Sequence, residues 1–331
     1  MNVNRRDFVW GLTFAGTAGL LGRRPGTAMA ELPPETTKIT LLQTPGICVS
    51  PRYVAEPLLQ AEGFTDVRYV RKASAAEIMS ALASGEADIS ITFGAELIRR
   101  IDAGDPIVLL AGVHVGCQEL FASKRVQTIR DLKGKTIAVA GMGSIQQSLI
   151  SIMLAHVGLD PRKDVTWVVH PLTEAIQLLD SGKIDALLTF PPESQELRAK
   201  RIGHVIVNTT TDRPWSQYFC CLAAGNRDFV QRPVATKRAL RALLKATNLC
   251  ALEPEQSARF VAERGYRFDY VLQTMKEVPY GTWREYNPQD TVRFYALRLH
   301  EAGLVKSGPQ KLIAQGTDWR FLIELKKELK G

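Results

Sequence analysis

Two segments of the chain, 97 positions apart, have nearly the same sequence pattern. Residues 81–90 read ALASGEADIS and residues 178–187 read LLDSGKIDAL. Each pattern is typical of the end of an apolar-periodic helix, followed by a glycine suited to a left-handed conformation and a strand opened by aspartate. The chain therefore carries one helix–strand unit twice, and this spacing suits two α/β lobes better than a solenoid repeat. Two such lobes would enclose a cleft, because open parallel sheets bind ligands at the carboxyl ends of their strands.

The first thirty residues predict export from the cytoplasm. Arg5-Arg6 precedes an apolar run over 8–21, and Ala28-Met29-Ala30 forms an A-x-A cleavage site before Glu31. The alternative, a membrane anchor, is disfavoured because a run of about 14 residues with three glycines is shorter than the ~20 needed to span a bilayer. We therefore predict a twin-arginine signal peptide over 1–30, cleavage after Ala30, and a periplasmic chain without stable membrane insertion.

The composition of the remaining chain argues against a nucleic-acid partner. Residues 31–331 contain 38 basic and 33 acidic side chains, a net charge of +5. The densest basic stretches lie at helical spacing among acids and leucines, which indicates solvated helix faces, and no basic stripe with interleaved aromatics is present in the sequence. About 300 residues with this apolar content can bury a full hydrophobic core.

Alternating strands and helices predict an α/β fold with largely parallel sheets. Four predicted strands end near Ala111, and residues 113–121 continue without a helix, which indicates a first crossing between lobes. A second run of strands and helices reaches residue 207, and a strand over 218–223 is predicted to lead back. Helices are predicted at 233–252, 254–264, 268–276, 288–301 and 308–314. We predict lobe I over 31–115 and 224–331, lobe II over 116–223, and two hinge crossings near 113–118 and 218–224.

Several motif fragments resemble parts of enzymes but are incomplete. Gly134-Lys135-Thr136 ends like a phosphate loop, yet the required earlier glycine is Ile129. The segment Gly141–Gln146 begins like a dinucleotide fingerprint, but its third glycine position holds Gln146. Its backbone N–H groups at a helix start are a candidate anion cradle, and the alternative is a turn that needs no ligand. The sequence lacks a nucleophile elbow and metal-type histidine spacing, so we predict no enzyme, catalytic residue or cofactor.

The five cysteines leave three alternatives open. They occupy positions 48, 117, 220, 221 and 250, an odd number for an oxidising compartment. Cys117 could form a disulfide with Cys220 or Cys221 if the crossing strands are neighbours. A thiol-lined pocket for a soft metal such as copper is a second alternative. Small buried residues are the favoured interpretation, so no metal site is predicted.

Three segments carry a resemblance to a known family. They are Asp131–Val139 (DLKGKTIAV), the doubled S-G-x-x-D pattern, and Ser50–Ala55 (SPRYVA). Together they resemble the periplasmic solute-binding proteins of nitrate, sulfonate and taurine ABC importers, a group that includes binders of thiamine-pyrimidine precursors. The resemblance covers about 38–305. It implies a two-lobed type II binding fold that captures a small solute and delivers it to an ABC permease and ATPase complex, without bond chemistry.

The resemblance also implies which loops line the cleft. They are the loop after the first strand, the start of the helix after the third strand, the first crossing, the Gly141 turn and the residues after Thr189. Aromatic side chains near the second crossing could add stacking faces. The expected ligand-binding residues are Thr44, Gly46, Cys48, Ser50, Phe93, Gly94, Ala95, His114, Gly141, Gly143, Ser144, Gln146, Phe190, Glu193, Trp215 and Tyr218.

The character of these loops favours an organic solute. The segment Thr44–Cys48 is more apolar than a bare oxyanion would need, and a mostly apolar pocket suits a small organic molecule, aromatic or anionic. Which solute binds stays open among sulfonates, nitrate, pyrimidines and aromatic acids. A ligand-sensing subunit that presents its closed form to a membrane receptor is the alternative function. We expect a monomer in either case.

Overall fold

The structure is a computed structural model that describes residues 31–72 and 75–329. The predicted signal peptide over 1–30 lies outside the described residues. Within the described part of the chain, no helix has the length and apolar character needed to cross a membrane.

The first part of the chain alternates strands with helices, as predicted. Its elements are β1 (Lys38–Gln43), α1 (Pro51–Val54), α2 (Glu56–Ala61), β2 (Asp66–Arg71), α3 (Ala75–Ala83), β3 (Ile89–Phe93), α4 (Gly94–Asp102) and β4 (Ile107–Val115). A 3₁₀ turn over Ile47–Val49 precedes α1. Residues 51–61 thus form two short helices after a tighter turn.

The middle of the chain repeats the alternation. Its elements are β5 (Glu119–Ala122), β6 (Thr136–Val139), α5 (Ile145–His156), β7 (Thr166–Val169), α6 (Leu172–Asp180), β8 (Ala186–Thr189), α7 (Glu193–Lys200) and β9 (His204–Asn208).

The last part contains one strand followed by helices. Its elements are β10 (Phe219–Asn226), α8 (Arg227–Val230), α9 (Pro233–Leu252), α10 (Pro254–Ala262), α11 (Phe268–Glu277), α12 (Pro288–Glu301), α13 (Pro309–Gly316) and α14 (Arg320–Glu328). The last helix extends beyond the predicted set, and it buries Phe321, Leu322 and Leu325 against the core.

Two five-stranded sheets with the same plan form the two lobes. Their strand orders are β2-β1-β3-β10-β4 and β7-β6-β8-β5-β9. In each sheet the first three strands run parallel, whereas the fourth, β10 or β5, runs antiparallel to both of its neighbours. Each antiparallel strand is the first strand that the chain forms after changing sheets. The α/β fold with two lobes is confirmed.

The doubled sequence segment has the same structural role in both lobes. Gly85 and Gly182 have φ values of +77° and +71°, so both occupy the left-handed region predicted for them. The carboxylate of Asp88 accepts a hydrogen bond from the Thr40 N–H at 2.7 Å, and that of Asp185 accepts one from the Thr136 N–H at 3.0 Å. Each aspartate thus links the start of its own strand, β3 or β8, to the parallel strand beside it, β1 or β6.

One part of the predicted lobe limits differs from the structure. Residues 219–223, assigned from sequence to lobe II, pair with β3 and β4 in the first sheet as part of β10. The return crossing therefore runs through 209–218 and not through 218–224. A continuous apolar run has no periodicity that would locate its sheet, which explains the error. The other limits stay a prediction.

Candidate functional site

The two crossings between the lobes lie side by side. The Cys117 N–H donates to Thr210 Oγ1 at 3.0 Å, and the Gln118 N–H donates to Thr209 Oγ1 at 2.9 Å. The Thr209 N–H in turn donates to the Gln118 carbonyl at 2.9 Å. Gly116 allows this approach, since a methyl group there would lie 2.3 Å from Thr210 Oγ1. Adjacent crossings of this kind are where a hinge between two lobes would bend.

The loop after β1 reaches across the cleft to the second lobe. The Ile47 N–H donates to the Pro191 carbonyl at 3.1 Å. A methyl group at Gly46 would lie 3.2 Å from the Phe190 ring, so this ring packs directly on the loop backbone. The Thr44 hydroxyl donates to the Ile91 carbonyl at 2.9 Å, which fixes the loop to β3. The lobes are therefore in contact at this edge of the cleft.

A small, mostly apolar cavity lies behind this contact. Its volume is about 20 Å³, which is room for about one water-sized body. Of the predicted site residues, Thr44, Cys48, Phe93 and Phe190 line it. The remaining lining residues are Pro45, Val49, Thr92, Cys117, Gln118, Ile145, Cys220 and Cys221. Residues of both lobes and of the first crossing thus meet at one place.

The aromatic residues near the second crossing pack elsewhere than predicted. Trp215 is 3% exposed and lies edge-on to His156 at 5.5 Å and to Phe294 at 5.8 Å. Tyr218 stacks on Phe294 with ring centroids 4.0 Å apart. These rings join α5 to α12 and do not line the small cavity, so their stacking on a solute stays a prediction.

Four further predicted residues are not among those that line the small cavity: Ser50, Gly94, Ala95 and Glu193. Gly94 and Ala95 begin α4, and a methyl group at Gly94 would meet the Leu222 side chain at 3.1 Å. Ser50 is buried before α1. Glu193 begins α7, where burial raises the pKa of its carboxyl group.

In the candidate anion cradle, polar groups of Gly143 and Ser144 are hydrogen-bonded within the protein. The Gly143 N–H donates to the Gln147 side chain at 2.6 Å, and Ser144 caps α5 by accepting from the Gln147 N–H at 3.3 Å. Arg99 donates from α4 to the Gly143 carbonyl at 3.0 Å and to Ser148 Oγ at 2.9 Å. Gly141 and Gln146 flank this turn. The arrangement supports a turn that needs no ligand, and anion binding here stays a prediction.

A larger, polar cavity of about 240 Å³ lies beside the crossings. At its wall, Arg198 donates to Glu119 at 2.6 Å and to Glu277 at 2.7 Å. Burial raises the pKa of Glu119, although Arg198 opposes this. None of these three residues is predicted from sequence, because they come from β5, α7 and α11 and share no local motif.

Four of the five cysteines gather on the floor of the cleft. Cys117 Sγ lies 3.5 Å from Cys220 Sγ, and Cys221 Sγ lies 3.9 Å from the same atom. Cys48 joins them from the 3₁₀ turn, so that the ligand atoms of Cys48, His114, Cys117 and Cys221 lie within 4.8 Å of one another. All five cysteines of the chain are free thiols in this structure. Within the described part of the chain, Cys48, His114, Cys117 and Cys221 form the group that could hold a metal.

His114 is the predicted crossing residue that the structure places in this cluster. Its ring is fully buried and lies edge-on to Tyr280 at 5.4 Å. Burial lowers the pKa of His114, but Cys221 and Cys48 beside the ring outweigh this and raise it to about 10. Burial also raises the pKa of Cys117. No sequence pattern indicates Tyr280, which donates to the Cys48 carbonyl at 2.7 Å from 232 positions away.

Comparison with known proteins agrees with this architecture. NrtA, the periplasmic nitrate-binding protein from Synechocystis PCC 6803, is 17% identical with a TM-score of 0.72, covering 90% of this chain and 90% of that one. SsuA, the alkanesulfonate-binding protein from Xanthomonas axonopodis pv. citri bound to MOPS, is 18% identical with a TM-score of 0.68, covering 86% and 99%. The periplasmic aliphatic sulphonate binding protein SsuA from Escherichia coli is 17% identical with a TM-score of 0.65, covering 84% and 91%.

These likenesses show the periplasmic binding protein fold. Comparison with curated proteins gave no match. The model of the NMT1-like family matches residues 33–264, which is more than half of the sequence. The chain therefore belongs to the NMT1-like family.

Proposed function

We propose that this chain is the extracytoplasmic solute-binding protein of an ABC importer. It captures a small solute by closing its lobes and delivers it to a membrane permease. The observation that carries the proposal is the cleft between two equivalent sheets, which are connected by two neighbouring chain crossings. The structural neighbours named above are binding proteins for nitrate or sulfonates, which supports binding over bond chemistry.

The cleft lining supports an organic solute over a bare oxyanion. Pro45, Val49, Phe93, Ile145 and Phe190 make most of its surface apolar. The void of about 20 Å³ is too small for a molecule of several atoms, so such a solute needs the Phe190 side of the cleft to move away from the loop after β1. Entry and lobe opening are then one event.

The proposal places the mature chain in the periplasm as a monomer. Cleavage after Ala30 would leave Glu31 as its first residue, and an ABC permease and ATPase complex would be its partner. The alternative, a ligand-sensing subunit, uses the same closure. Stimulation of the permease-bound ATPase by the closed protein would distinguish transport from sensing.

The experiment follows closure in the chain 31–331. Small molecules that co-purify with the protein are identified by mass spectrometry and returned to the stripped protein. We expect the radius of gyration measured by X-ray scattering to fall with solute, and the melting temperature to rise with solute concentration as RT ln(1 + [L]/Kd) requires. Stabilisation by solute at an unchanged radius of gyration would refute closure.

A matched pair of variants locates the solute. Phe190→Ala removes the ring that packs on the loop after β1, and should weaken solute affinity by at least about tenfold because an apolar contact of this size is lost. Leu252→Ala removes an apolar side chain that is 79% exposed and does not line the cavity, and should leave affinity unchanged. Equal affinities of the two variants would contradict this location of the site.

A further inference from the structure

Four elements of the fold bring metal-ligand atoms to one point on the cleft floor. Cys48 comes from the 3₁₀ turn, His114 from β4, Cys117 from the first crossing and Cys221 from β10. Their ligand atoms all lie within 4.8 Å of one another. All four side chains are buried, none more than 6% exposed. A soft-metal site typically has such an arrangement, in which thiols and an imidazole lie close together in the protein interior.

The imidazole of His114 provides an independent sign of a missing partner. Its Nδ1 lies 3.2 Å from the Val115 carbonyl, which accounts for one ring nitrogen. The other nitrogen, Nε2, is buried without a hydrogen-bond partner. Buried polar atoms left unpaired are uncommon and costly. An outer hydrogen bond on Nδ1 with Nε2 free is also the arrangement in which histidine ligates metals.

The backbone at Cys117 provides a second sign. Its φ is +89°, a conformation rare for any residue except glycine. Such strained residues cluster at functional sites, where the surrounding structure holds them in place. Here the Thr210 hydroxyl accepts the Cys117 N–H. The strained conformation places the sulfur of Cys117 among the other ligand atoms.

The geometry points to a site for one thiophilic d¹⁰ metal ion, Cu(I) or Zn(II), coordinated by Cys48, His114, Cys117 and Cys221. With metal–sulfur bonds of about 2.3 Å and a metal–nitrogen bond of about 2.0 Å, tetrahedral ligand atoms are roughly 3.5–3.8 Å apart. The observed atoms need to approach by about 1 Å or slightly more in their widest pair. The adjoining void of about 20 Å³ has the size of a single ion or water.

This site goes beyond the proposed function, because it needs only the folded chain. It also changes the interpretation of the cysteines from sequence, where small buried residues were favoured over a soft-metal pocket. Tyr280 contacts two of the proposed ligands from outside the cluster. Its hydroxyl donates to the Cys48 carbonyl at 2.7 Å, and its ring packs edge-on to His114. Cys220 Sγ adjoins the cluster, 3.5 Å from Cys117 Sγ and 3.9 Å from Cys221 Sγ.

The test measures metal binding by the purified chain 31–331. The reduced, metal-free protein is titrated with Cu(I) and with Zn(II) against chromophoric chelators, and retained metal is counted by mass spectrometry after desalting. We expect one equivalent of ion and a higher melting temperature. Cys48→Ser and Cys221→Ser should each weaken binding by more than the 10–100-fold typical of losing an outer-shell partner. Cys250→Ser, a buried cysteine in α9 outside the cluster, is the matched control and should retain the ion.

A spectroscopic measurement on the unmodified chain tests the site even if the cysteine variants fail to fold. Cobalt(II) added to the unmodified chain should give sulfur-to-cobalt charge-transfer bands together with the strong d–d bands of a tetrahedral site. A six-coordinate spectrum without charge transfer, no retained ion, or equal loss of metal in Cys250→Ser would each overturn the proposal. A chain that bound no metal could still close on a solute, so these outcomes leave the proposed function to its own test.

Discussion

A single methyl group at Gly116 tests whether the two crossings form one tightly packed hinge. Gly116 has a φ of +70°, and a Cβ there would lie 2.3 Å from Thr210 Oγ1 and 2.5 Å from Thr210 Cα. The second contact is with the backbone, so no side-chain rotation relieves it. Gly116→Ala therefore forces the crossings apart where they are hydrogen-bonded.

Gly134→Ala provides the matched control. Gly134 has a φ of +72°, but a Cβ there would meet nothing within 4 Å. In both variants the free energy of unfolding falls by about 1–2 kcal/mol, because alanine must adopt the left-handed conformation of the glycine that it replaces. Only Gly116→Ala adds overpacking of about 1–3 kcal/mol and weakens a hydrogen bond worth about 1 kcal/mol. We expect Gly116→Ala to be more destabilising by about 2–4 kcal/mol.

Urea unfolding of the chain 31–331 measures this difference, with thermal melting as a second observation. For a domain of this size, 1 kcal/mol corresponds to roughly 2–4 °C in melting temperature. Gly116→Ala should also give a larger radius of gyration than the wild type, whereas Gly134→Ala should not. Equal free energies of unfolding for the two variants would refute the close packing of the crossings.

Three further predictions concern export, pH and the Gly141 turn. Replacing Arg5-Arg6 with two lysines should leave precursor in the cytoplasm by immunoblot, and undiminished periplasmic protein with general secretion blocked would contradict the twin-arginine assignment. Burial raises the pKa of Asp88, so its ionisation opposes folding: its contribution is most favourable below its unfolded pKa of about 4 and is lost as pH rises through the folded value. Asp88→Asn should therefore gain stability relative to wild type between about pH 4 and pH 7 in urea unfolding, and a relative loss would contradict this sign. Ser144→Ala should lower the free energy of unfolding by about 0.5–2 kcal/mol through loss of the helix cap. Solute affinity measured by calorimetry should stay unchanged, and a tenfold loss of affinity would instead support anion binding at this turn.

The doubled helix–strand unit was predictable because its determinants are local. A glycine after a helix and an aspartate at the start of a strand act on neighbouring backbone, and both copies do so in the structure. The alternation of strands and helices is likewise encoded in short-range apolar periodicity. The limit of lobe II was wrong at 219–223, because the pairing of β10 with β3 and β4 depends on strands more than 100 residues earlier.

The candidate site was predictable only in part, for the same physical reason. The loop after β1 and Phe190 could be placed at the cleft from the family resemblance. In contrast, the partners of His114 depend on the register between two distant strands. Cys221 lies opposite His114 in the pairing of β10 with β4, and no local pattern around either residue contains that register.

This register also explains why the thiols and the hinge coincide. β4 leaves the first sheet through Cys117, and β10 enters it at Phe219, which pairs with Val115. The two strands are antiparallel neighbours, so the C-terminal end of β4 lies beside the N-terminal end of β10. Side chains at these two ends form the cleft floor and contact the crossings. An ion or solute held there would contact the crossings, so that the proposed binding would be coupled to the proposed closure without a separate relay.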